Sequence, residues 1–123
     1  MRLSRSSRLL YNIYVIVSFV AGWRVEEHGT RVRDFVSALA DDRAFDEAVA
    51  LIKLVRERGN TLREPRSKPL GDGLFELRGK SVRIFYIFRP DRRVVLLDGI
   101  VKKRTDIPGD VIERLRRLQR EVK

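Results

Sequence analysis

The apolar positions of this chain recur every second residue in some stretches and at helical spacing in others. Trp23-Arg24-Val25-Glu26-Glu27 alternates apolar and polar side chains, which predicts a short strand. After Gly29, Thr30 is placed to cap a helix whose apolar stripe is Val32, Phe35, Val36 and Leu39. Asp41-Asp42 opens a second helix, with Phe45, Ala48, Val49, Ile52 and Val55 on one side and Gly59-Asn60 as its stop. The short connection predicts a helical hairpin. From Thr61 to Asp72, Pro65, Pro69 and Gly71 punctuate what reads as a loop. Three strand-like runs follow at Leu74–Arg78, Val82–Phe88 and Val94–Val101, separated by segments of hairpin length. A last helix carries Val111, Leu115, Leu118 and Val122, with Asp106 as its cap and Pro108 in its first turn.

This order predicts an α+β fold. An antiparallel sheet, built of the N-terminal strand and a three-stranded meander, packs with the helical hairpin and the C-terminal helix. With the helices on one face, the other face of the sheet would be open to a ligand. The folded unit is expected over residues 23–123. Residues 1–22 read as a leader or extension: Arg2, Arg5 and Arg8 precede the uncharged run Leu9–Ala21, which is too short to span a membrane. A signal peptide, a native extension and an upstream translation start all fit that segment.

Composition narrows the chemistry. The chain of 123 residues has no cysteine and one histidine, His28, so thiol chemistry, disulfides and a histidine-built metal site are excluded. A surface or capping role suits His28. The formal net charge is +10, and it is unevenly placed: residues 1–22 carry +3, residues 23–60 carry −1 and residues 61–123 carry +8. Most cations of the C-terminal half are arginines, whose planar fork suits phosphate. That field favours an anionic partner. The arginines of the last helix, Arg114, Arg116, Arg117 and Arg120, read as a solvated face or a nucleic-acid contact.

Charged residues within the strands carry the sharper signal, because a strand with one buried face turns its polar side chains to the other. Glu76 and Arg78 share a face opposite Phe75 and Leu77. Arg83 lies with Phe85 and Ile87, away from Ile84, Tyr86 and Phe88, which places Tyr86 in the core. Antiparallel pairing would bring Arg78, Arg83 and the Lys102-Lys103 pair to one surface, with Phe85 placed to stack on a base.

The segment Lys68-Pro69-Leu70-Gly71-Asp72-Gly73-Leu74-Phe75-Glu76-Leu77-Arg78, then Val82-Arg83-Ile84-Phe85-Tyr86, then Gly99-Ile100-Val101-Lys102-Lys103 resembles the core of the RelE/HigB toxins of type II toxin–antitoxin systems. The phage-derived HigB-like branch has K-x-L-x-x-G-L-x-E-L-R, Y-R-x-x-Y and F-x-K-K blocks in this order; here Val82 replaces the leading aromatic of the second. The resemblance covers about residues 23–122. It implies a cytoplasmic RelE-like toxin, with no membrane association, that acts as a metal-independent endoribonuclease on mRNA in the ribosome and thereby inhibits translation. It implies no cofactor, and a cognate antitoxin of helix-turn-helix type as partner. Carried over by position, Arg83 holds the scissile phosphate, Lys102, Lys103 and Arg78 complete the catalytic cluster, and Lys68 is the lysine that opens the first block; the chain departs from the pattern after Lys103, and Lys68, Phe85 and Arg104 are the expected RNA contacts. Glu76 is the candidate base, with Lys102 or Lys103 as alternatives. A ParE-like gyrase inhibitor, which needs no such cluster, and an inactive basic RNA-binding remnant are the alternative readings.

Overall fold

The computed structural model describes residues 22–103 and 106–123. The expectations for the leader and for Arg104 therefore lie outside the described residues. The elements are β1 (Arg24–Glu27), α1 (Arg31–Ala38), α2 (Asp42–Arg58), β2 (Ser67–Gly71), β3 (Leu74–Arg78), β4 (Val82–Arg89), β5 (Arg93–Val101) and α3 (Gly109–Glu121). The five strands form one sheet in the order β1-β5-β4-β3-β2.

The α+β class stands, with three differences of detail. The sheet is mixed: β1 runs parallel to β5, pairing Arg24 with Arg93 and Glu27 with Leu96, because the helical hairpin returns the chain to start the meander at the far edge. Ser67–Gly71, expected as loop, is a fourth antiparallel strand, paired to β3. It was hidden because Pro69 and an irregular register interrupt the alternation, which is tolerated on an edge strand. The last helix starts at Gly109, with Pro108 as its N-cap; the Pro108 carbonyl accepts from Val111 N at 3.1 Å and Ile112 N at 3.2 Å, so the expected Asp106 cap is not used.

The helices cover both faces of the sheet, which corrects the expectation of one open face. The hairpin α1–α2 packs Val32, Val36, Phe45, Ala48, Ile52 and Val55 onto Leu77, Val82, Ile84, Tyr86 and Leu96. On the other face α3 packs Val111, Leu115 and Leu118 onto Leu74, Phe85, Ile87, Val95 and Leu97. Alternation along β4 is what splits the two cores: Ile84 and Tyr86 belong to one, Phe85 and Ile87 to the other. Two side-chain contacts tie α3 down. Arg114 Nε donates to Asp98 Oδ2 at 2.8 Å, and His28 Nε2 meets Glu121 Oε1 at 3.0 Å. Arg116 adds hydrogen bonds to the carbonyls of Leu70 (3.1 Å) and Gly71 (2.9 Å). Two of the four arginines expected on a solvated face thus bind the helix to the sheet, Arg114 through a carboxylate of β5 and Arg116 through polar backbone at the β2 edge. Gly59 closes α2 with a φ of +52°, and an added Cβ there would meet the Trp23 indole at 2.1 Å.

Candidate active site

Strand register gathers the charged residues of β2, β3 and β4 on the face that α3 covers. Lys68 pairs with Glu76, Glu76 with Phe85, and Arg78 with Arg83. Directly opposed residues share a face. Arg83 in turn pairs with Ile100 of β5, which leads into Lys102 and Lys103. Near the start of α3 this face ends in a pocket of about 180 Å³ whose lining includes Glu76, Arg83, Lys102, Lys103 and Pro108.

Arg83 is held from below. Its side chain is buried, and Nη1 donates to the carbonyls of Gly79 and, at 3.0 Å, Val82. The turn that supplies the Gly79 carbonyl is itself fixed by Glu47 of α2, whose Oε1 accepts from Ser81 N at 3.0 Å and Val82 N at 3.1 Å. A Cβ on Gly79 would stand 2.2 Å from that carboxylate oxygen, so only glycine lets the turn approach the helix so closely. Burial works against ionisation of Glu47, but the backbone N–H groups of Ser81, Lys80 and Val82 outweigh it and hold the carboxyl below the usual range. Sequence reasoning missed Glu47, because a half-buried acid on an amphipathic helix looks like surface; its separation from the turn by 34 residues left no local signal.

Glu76 is the unusual group. Only 5% exposed, it lies between Arg78, whose Nε is 3.3 Å from Oε1, and Arg83, whose Nε is 3.9 Å away. Burial pushes its carboxyl above the ordinary value, and the combined pull of Arg83, Arg78, Lys68 and Lys102 does not cancel that. Burial likewise draws the Arg83 guanidinium downward, with Glu76 opposing; an arginine remains cationic nonetheless. The site therefore combines a carboxylate that is readily protonated with fixed cations around it. Such a group can take up a proton while the cations stabilise developing negative charge.

Of the residues expected at the site, Glu76, Arg78 and Arg83 come together, Lys102 and Lys103 stand exposed on the pocket rim, and Lys68 faces Glu76 from the edge strand. Phe85 does not join them. It is completely buried in the core beneath α3, because the helix occupies the face that was expected to be open, so it offers no platform to a base. Tyr86 is in the other core as expected, with its hydroxyl 2.6 Å from Ser67 Oγ. Among the described residues, no helix is long and apolar enough to cross a membrane.

No curated protein matches the chain. The family described as "Phage derived protein Gp49-like (DUF891)" matches residues 34–120, a span that includes most of the hairpin, the meander, the charged cluster and nearly all of α3. On that match, across most of the folded unit, the chain belongs to the phage-derived Gp49-like family, a RelE/toxin-like family.

Proposed function

We propose that this protein is the toxin of a type II toxin–antitoxin pair and that it cuts mRNA on the ribosome without a metal ion. The family is compatible with such a toxin. The observation that carries the reading is the buried Glu76, set between Arg78 and Arg83 and sharing a pocket with Lys102 and Lys103. In this mechanism the Glu76 carboxylate accepts the proton of an RNA 2′-hydroxyl. The 2′-oxygen forms a bond to the adjacent phosphorus, and the bond from phosphorus to the 5′-oxygen breaks. A lysine ammonium of the rim, Lys102 or Lys103, gives a proton to that leaving oxygen. The products are a 2′,3′-cyclic phosphate and a 5′-hydroxyl, and solvent returns the proton from Glu76 to the lysine. Arg83 and Arg78 stabilise the extra negative charge at phosphorus. With Nη1 of Arg83 committed to the two carbonyls, its Nε and Nη2 remain for a phosphate oxygen. The wider basic field raises the local RNA concentration, with a steep salt dependence.

Induced expression tests this reading. Growth arrest with mRNA cut inside translated codons is expected, and Arg83→Ala or Lys102→Ala should relieve both. Variants as toxic as the parent would refute the assignment of these cations; arrest with DNA damage and intact mRNA would favour a gyrase poison instead.

A further inference from the structure

A cavity that the proposed reaction leaves unused lies on the hairpin side of the sheet, near the β2 edge. It has a volume of about 700 Å³ and is lined by Leu62, Phe75, Tyr86 and Phe88, with Arg63 and Lys68 among the polar residues at its margin. That volume falls in the range of sites that hold large ligand groups. Its floor is apolar, and its aromatic rings are turned toward one another. Phe75 stacks on Tyr86 at 5.5 Å, and Phe88 stands edge-on to both at 5.1 and 5.5 Å. Such an aromatic floor accommodates apolar side chains.

The margin is positive. Arg63 is exposed and donates only to the main-chain carbonyls of Asn60 (2.6 Å) and Leu62 (3.2 Å), which do not neutralise it. Among the described residues its side chain has no carboxylate within ion-pair distance. Glu64, the acid at this margin, is directed to Arg78 at 4.0 Å. One exposed arginine over an apolar floor is too little to track a phosphate backbone but matches an apolar segment with an acidic flank. We infer that this groove binds an acidic, apolar segment of a protein partner. That the partner is the antitoxin rests on the toxin reading above; the chemistry of the groove does not. Lys68 borders the groove along the edge strand, but its register with Glu76 turns its side chain to the opposite face.

Trp23 is the chain's one tryptophan and packs on Phe88 with ring centroids 5.3 Å apart, so its emission reports occupancy. The full chain is titrated with a short peptide alternating leucine and glutamate, its twin with lysine for glutamate, and an oligouridylate. The acidic peptide should shift Trp23 emission saturably, and Arg63→Glu should weaken that binding by about tenfold, since exposed ion pairs contribute roughly up to 1 kcal/mol each and reversal replaces attraction with repulsion. Asn60→Phe, at an exposed position lining the groove, should block binding without touching the core. Equal binding of the lysine twin, binding of oligouridylate in place of the peptide, or no shift with any probe would overturn the inference. The readout involves no RNA cleavage, so failure of the nuclease reading and failure of this one are separable.

Discussion

Replacing Glu76 by Gln separates a catalytic carboxylate from a structural counter-ion. At the 3.9 Å that separates Glu76 from Arg83 Nε, two unit charges attract by about 4 kcal/mol in a medium of intermediate dielectric constant. Removing one member of a buried pair ordinarily costs roughly 3–5 kcal/mol. Here the raised pKa shows that burial of the Glu76 charge outweighs the attraction of all four neighbouring cations. The ionised form is therefore a net burden on the fold, and its loss is not a net loss of stability. Gln keeps the shape and an oxygen acceptor for Arg78, 3.3 Å away. Arg83 keeps its hydrogen bonds to Gly79 and Val82, since its contact with Glu76 is longer than a hydrogen bond. Glu76→Gln should change the unfolding free energy at neutral pH by no more than about 1 kcal/mol. Cleavage of ribosome-bound mRNA should fall by about 10²–10⁴-fold, the usual contribution of a general base. Chemical denaturation and primer extension measure the two. A stability loss of about 3 kcal/mol or more would make Glu76 a counter-ion, and unchanged cleavage would remove it from the mechanism.

Other consequences follow from the same geometry. Because the Glu76 carboxyl is raised and must be ionised to accept a proton, the acid limb of the cleavage profile should lie above the ordinary glutamate value of about 4.3; a limb at or below that value would contradict its role as base. Glu47 is shifted the other way, so its stabilisation is present above its unfolded pKa and lost as pH falls through the lower folded value. Glu47→Gln should cost about 1–3 kcal/mol at neutral pH by releasing the turn, and acid titration of the two proteins should show their stabilities converging. Phe85→Ala should destabilise by about 3–5 kcal/mol, yet leave cleavage per folded molecule unchanged, as expected of a core residue; a selective loss of RNA affinity would restore the stacking role.

What was legible in the sequence was set by local periodicity. The stripe Phe45, Ala48, Val49, Ile52 and Val55 and the alternation of β4 each encode one buried surface, and both appear as expected. Alternation also placed Glu76, Arg78 and Arg83 on one face, because register in a tight meander follows from short turns. Where α3 would dock was not encoded locally. Its stripe of Val111, Leu115 and Leu118 specifies that the helix packs, but Arg114 to Asp98 and Arg116 to the β2 edge help fix where, and both contacts are remote in sequence. The misplacement of Phe85 follows from that alone. Strand β2 was missed for a related reason, since an edge strand with one paired side needs little alternation and tolerates Pro69.

The central claim is that a carboxylate and its surrounding cations cut RNA by attack of the 2′-hydroxyl. The chemistry of the RNA ends tests it most directly. Purified protein incubated with programmed ribosomes should leave 2′,3′-cyclic phosphate and 5′-hydroxyl termini in the absence of divalent-metal dependence at the cutting step, and Glu76→Gln should leave the message intact. Termini bearing a 3′-hydroxyl and a 5′-phosphate, or the same cyclic product from Glu76→Gln at the parental rate, would contradict the account.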